Sequence, residues 1–162
     1  MGELQMNSAL AQMARKSKLN ADDVLALRRE VFEDGVVERC EAEALFAIDR
    51  SVKEKAVEWS EFFIEAVTDY LVLAEAPEGY ISEENANWLI RAISSDGIVD
   101  QIVEFEILMR CMEKAQSMPA TLSAFALRQV QNAVVNGEGA MAKDRKTAKR
   151  VVTADDVKAL RR

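Results

Sequence analysis

The chain has 162 residues, 49% hydrophobic and 30% charged, which is enough to bury one sizeable core and short for two full domains. Its 6 Gly and 2 Pro disfavour a turn-rich sandwich or barrel and favour long helices. Histidine is absent, which excludes Ser-His and Cys-His nucleophile pairs, His-ligated zinc or haem, and a histidine pH switch. Residues 1–140 carry 13 Lys or Arg against 25 Asp or Glu, whereas residues 141–162 carry 8 against 3. An acidic body repels phosphate, so nucleic acid is a poor partner. No stretch approaches the ~18 apolar residues of a membrane span and none reads as a leader, so the expected compartment is the cytoplasm, without a membrane partner.

In chain order, residues 1–18 form an N-terminal helical segment, with a helix from about Ser8 to Arg15. A first three-helix unit then covers 19–76. Asn20 is the helix cap, Asp22 and Asp23 suit the positive end of the helix, and Val24, Leu27 and Val31 make the buried stripe. Asp34-Gly35 is expected to end this helix, because glycine takes a positive φ at little steric cost. A second helix carries Leu45 and Ile48. The third has the clearest periodicity: Trp59, Phe62, Phe63, Ala66, Val67, Tyr70 and Leu71 fall at i, i+3, i+4, i+7, i+8, i+11 and i+12, the signature of a packed face. Ala74–Tyr80, with Pro77 and Gly79, is the hinge.

The second unit, 81–135, matches the first. Leu19-Asn-Ala-Asp-Asp-Val through Asp34-Gly35-Val36-Val37-Glu38 aligns with Ile81-Ser-Glu-Glu-Asn-Ala through Asp96-Gly97-Ile98-Val99-Asp100 at an offset of 62. One extra residue makes the offset 63, aligning Glu41, Glu43 and Leu45 with Glu104, Glu106 and Leu108, and Phe62 with Phe125. A match held through three segments is the mark of an internal repeat. Ser82 is the matching cap, Leu89 and Ile93 the matching stripe, and Asp100 a candidate cap for the next helix. Residues 136–152 read as a basic linker through Lys143, Arg145, Lys146, Lys149 and Arg150, with no aromatic side chain to stack a base. A third start follows over 153–162: Val152-Thr-Ala-Asp-Asp-Val-Lys-Ala-Leu160 nearly copies Leu19–Leu27, either as a capping helix or as the opening of a further repeat. Cys40 and Cys111 sit in helical patterns and read as small core residues.

Asp34-Gly35-Val36-Val37 with Glu41 and Leu45 downstream, and Asp96-Gly97-Ile98-Val99 with Glu104 and Leu108, resemble the helix-loop-helix core of EF-hand proteins. They are also similar to the Asp-Gly-hydrophobic-acid pattern of tellurite-resistance TerB-like helical domains. The first resemblance implies a calcium-type site. With Gly35 sixth in a twelve-residue loop, Asp34 falls fifth, Glu38 ninth and Glu41 twelfth, so these three are the candidate metal ligands. Glu30 stands first and Phe32 third, where no oxygen is offered. With Gly97 sixth, Ala92 stands first and Val103 twelfth, so both end ligands are missing. The other reading is that Asp-Gly is turn chemistry, with Asp34 and Asp96 accepting from nearby backbone.

The fold expected from these readings is all-α: two tandem three-helix repeats packed as one domain, plus the start of a third. Glu41 and Glu43 lie two apart and so on different helix faces, and with no nucleophile motif, glycine-rich phosphate loop or metal-ligand histidine, no enzyme chemistry and no catalytic or cofactor-binding residue is expected. The first functional expectation is a cytoplasmic helical module that binds a protein partner, including a second copy through the C-terminal segment, where Val157 and Leu160 lack cover. The second is a module that binds a divalent ion, calcium in type, through Asp34, Glu38 and Glu41.

Overall fold

The structure, a computed structural model, describes residues 3–36, 38–73, 77–143 and 154–161. It is all-α among these residues, apart from one two-residue parallel strand pair. The chain divides into two compact units, Met1–Tyr70 and Leu71–Arg162.

The first unit opens with α1 (Glu3–Ala14), which packs on α3 (Arg39–Ser51) and buries Leu10. Strand β1 (Lys18–Leu19) then pairs with β2 (Glu54–Lys55), Lys18 opposite Glu54 and Leu19 opposite Lys55. Asn20 caps α2 (Ala21–Ala26) as expected: its side chain accepts the Asp23 N–H at 2.9 Å, and Asp23 accepts the Asn20 N–H at 3.1 Å. The helix then widens into a π-helical turn, Leu27–Val31, closed by the Phe32 N–H on the Leu27 carbonyl at 2.9 Å. Phe32 meets the Phe62 ring with centroids 5.9 Å apart. The Arg28 guanidinium lies 5.3 Å over the same ring and pairs with Glu65 at 3.1 Å.

The expected role of Asp34-Gly35 needs correction. The helix leaves at Phe32, three residues early, and Gly35, at φ 79°, forms a separate turn in which its N–H donates to the Phe32 carbonyl. Helix α4 (Val57–Leu73) buries its whole expected stripe from Trp59 to Leu71. Phe63 stacks on Trp59 at 5.6 Å and meets the edge of Phe46 at 5.0 Å. A polar clip closes the α3–α4 connection. Asp49 accepts the Trp59 indole N–H at 2.8 Å and lies 3.3 Å from the Lys55 ammonium, which also donates to the Asp49 and Val52 carbonyls at the end of α3.

In the second unit, Gly79, at φ 87°, turns the chain so that Tyr80 bridges Ser117 in parallel and the Ile81 N–H donates to the Ser117 carbonyl. Ser82 caps α5 (Glu83–Ile93) by accepting the Asn85 N–H at 3.1 Å, and α5 packs on α7 (Ala120–Val135). Between them runs α6 (Ile102–Lys114), which buries Ile107, Leu108 and Cys111. Its N-cap is Gln101, not Asp100, one residue later than the sequence suggested.

The connector after α7 is also more structured than a linker. Gly139 at φ 91° admits α8 (Ala140–Lys143), which rests on α6 and α7 with Ala140 buried. Of the basic run, Lys143 donates to the Asp100 carbonyl at 2.8 Å; Arg145, Lys146, Lys149 and Arg150 lie outside the described residues, as does the Thr153 cap. Last comes α9 (Ala154–Leu160), packed on α7.

The Asp23 carboxyl is raised by desolvation but lowered further by its hydrogen bond from Lys16 and by the Asn20 N–H, so its pKa lies below the ordinary value. A lowered folded pKa gives stability that is present above the unfolded value of about 3.9 and lost as pH falls through the folded one. Asp23→Asn should therefore lower stability at pH 7 and reduce the slope of stability against pH below about pH 4. Urea unfolding at a series of pH values measures both.

Candidate functional site

The residues with the strongest chemical suggestion are those of the two Asp-Gly corners. In the first, Asp34 and Glu38 are exposed and Glu41 is half-buried on the first turn of α3. The Glu41 carboxylate turns back to accept the Glu38 N–H at 3.0 Å, the reach of a capping acid, and the Glu38 carboxylate accepts from the Cys40 thiol at 3.5 Å. Two of the three candidate ligands are thus committed to the start of α3. Among the described residues no group of three or more acid, thiol or imidazole side chains is placed to hold a metal ion.

Cys40 corrects another expectation, since it is exposed while Cys111 is buried. Lost hydration at the thiol and the Glu38 carboxylate beside it push the Cys40 pKa above its ordinary value. The thiolate is the reactive form, and this shift reduces its share.

The second corner is built differently. Gly97, at φ 89°, donates its N–H to the Ser94 hydroxyl at 2.8 Å, and Asp96 accepts the Ile98 N–H at 3.0 Å, the expected turn chemistry. Gln129 of α7 then fastens the loop from inside. Its carbonyl oxygen accepts the Val99 N–H at 2.9 Å, and its amide donates to the Gly97 carbonyl at 2.9 Å and the Phe125 carbonyl at 3.3 Å. Ala140 closes the other end by donating to the Val99 carbonyl at 2.7 Å. Sequence reasoning passed over Gln129, although an amide in register with Phe125, Ala126, Val130 and Ala133 is itself a signal of a buried polar partner. Its match in the first unit is Ala66, which has no polar group to offer.

The C-terminal helix presents its faces in an unusual order. Asp156 is 1% exposed, while Val157 is 37% and Leu160 49% exposed. The residues they match in α2 and its π turn, Val24 and Leu27, are buried. An amphipathic helix ordinarily turns its apolar stripe inward, so α9, although packed on α7, leaves its stripe partly uncovered.

Comparison of the chain with family models, curated proteins and solved structures gave no match. The likeness to EF-hand and TerB-like helical domains therefore rests on the two Asp-Gly corners alone. Among the described residues no helix is long and apolar enough to cross a membrane.

Two measurements follow. Gln129→Ala leaves the Val99 N–H and Gly97 carbonyl without their partner inside the protein, so it should cost about 1–3 kcal/mol of stability and speed hydrogen exchange at the Val99 amide. Because glutamine keeps the oxygen that accepts the Glu38 N–H, Glu41→Gln should change stability by no more than about 0.5 kcal/mol, equally with and without millimolar calcium. Thermal unfolding decides that point: a calcium-induced rise in Tm that Glu41→Gln removes would restore the ion-binding reading.

Proposed function

We propose that this protein is a non-enzymatic helical interaction module that binds a protein partner through its C-terminal helix. The observation that carries the reading is the uncovered stripe of Val157 and Leu160, set beside the burial of Val24 and Leu27 at the matching places. A helix that repeats the composition of a core helix but leaves the core-facing residues in solvent has the surface of a docking element. The internal repeat supports the same view. The bridges Lys18–Glu54 and Tyr80–Ser117 are displaced by 62 residues on one side and 63 on the other, the two offsets of the sequence match. A chain built by duplicating one helical unit uses its third start, at 152, as a connection to something outside itself.

No catalytic group is assigned in this reading, and Asp34, Glu38 and Glu41 serve the corner and the start of α3. Because both stripe residues are partly exposed, Val157→Asp with Leu160→Asp should leave the far-UV spectrum unchanged and cost about 1 kcal/mol of stability. Affinity capture with the chain and with this double variant, side by side, tests the function. Proteins retained by the chain should be lost with the variant, and an identical set from both would overturn the reading.

A further inference from the structure

The remaining question is what covers α9, and the charges of the molecule point to one occupant. Along α4, Glu58, Glu61 and Glu65 recur at i, i+3 and i+7, which places them on one helix face, and all three are exposed. Val57, 70% exposed, flanks the start of this acidic ridge and is the most exposed of the large apolar side chains described. The C-terminal segment has the reverse character. Residues 141–162 carry 8 Lys or Arg against 3 Asp or Glu, and α9 adds the apolar pair Val157 and Leu160 beside Lys158 and Arg161. α9 buries Asp156, so its exposed side chains Val157, Lys158 and Leu160, with Arg161 after them, are what complement the acidic ridge in charge and in apolar surface. At 1.5 Å per residue, Glu58 to Glu65 spans about 10 Å and the seven residues of α9 about the same.

The chain already shows how this ridge receives such a segment. Leu27-Arg28-Arg29, which follows the α2 stripe, reappears as Leu160-Arg161-Arg162 after the α9 stripe, so the copied stretch runs two residues past Leu160. Arg28 uses the ridge directly, pairing with Glu65 at 3.1 Å and lying over Phe62 one turn back. Arg161 offers the same guanidinium at the same step from its leucine, with Glu58 and Glu61 of the ridge in solvent to receive it.

We propose that α9, through Val157, Lys158, Leu160 and Arg161, docks on the α4 ridge of a second copy of this chain. The assignment rests on the interaction-module reading and names the partner. Docking buries Val157 and Leu160 against Val57 and sets Lys158 and Arg161 on the carboxylates of Glu58 and Glu61. The two patches differ, so the contact is heterologous: each copy donates α9 to one neighbour and offers α4 to another, and the product is a ring or a chain of copies. Such an association grows with protein concentration and weakens as salt screens the exposed carboxylates.

Two surface variants of the full chain test this by sedimentation equilibrium. Glu58→Lys with Glu61→Lys spoils the ridge and keeps the tail; Val157→Asp with Leu160→Asp spoils the tail and keeps the ridge. The unaltered chain should form assemblies larger than a dimer that shrink between about 0.05 and 0.5 M salt. Each variant alone should be monomeric. An equimolar mixture should give a one-to-one dimer and nothing larger, because only one intact ridge and one intact tail remain per pair. A chain that stays monomeric, a mixture that fails to associate, or a ridge variant that associates by itself, as a stripe-to-stripe contact would make it, overturns the proposal. If that happens while affinity capture still depends on Val157 and Leu160, the module reading stands and only the second copy as partner falls.

Discussion

Backbone groups in the stretches between short helices must be satisfied, and in this protein a one- or two-residue parallel pairing helps to do so just ahead of the capped helices. In each unit the residue just before the first helix's cap lies in or beside a pairing with the stretch that precedes the third helix: Lys18–Leu19 with Glu54–Lys55, and Tyr80–Ile81 with Ser117. First and third helices therefore begin side by side. Arg28 and Phe32 reach Phe62 in the first unit, and α5 lies on α7 in the second. Between these fixed starts the second helix has only to supply a stripe, Leu45 and Ile48 or Leu108 and Cys111, to complete a small core.

Much of this was legible in the residues. The aromatic periodicity from Trp59 to Leu71 announced a helix buried along one face, because packing needs a stripe and a stripe shows in spacing. The caps Asn20 and Ser82 were equally plain, since few side chains accept a backbone N–H from that position. Boundaries set by backbone geometry were not. Nothing in Leu27–Val31 distinguishes a π turn from an α turn, and so the first helix ends before its Asp-Gly corner. Lys18–Leu19 and Glu54–Lys55 are too short to alternate, and their pairing spans 36 residues, beyond the reach of any local pattern.

The candidate site was legible in part and for the same reason. Spacing put Asp34, Glu38 and Glu41 at loop positions that suit a cation, but spacing does not say where a carboxylate points. Glu41 spends its oxygen on the Glu38 N–H, a local partner that costs little chain entropy to reach. The two corners differ in chemistry. Gln129 holds the second from within, while Ala66 at the matching place brings no hydrogen bond. A shared Asp-Gly dipeptide thus marks a common bend in the backbone and says little about what the bend does.

The polar clip between α3 and α4 is likewise a feature of the first unit. Asp49, Lys55 and Trp59 close the joint of the first unit with charge and hydrogen bonds; Met112, Met118 and Leu122 stand at the matching positions of the second. Met112 and Met118 are partly exposed thioethers, which peroxide converts to polar sulfoxides. At these joints oxidation consequently acts unevenly: the second unit's joint offers thioether sulfurs to peroxide and, once oxidised, to a sulfoxide reductase, and the ionic joint of the first offers none.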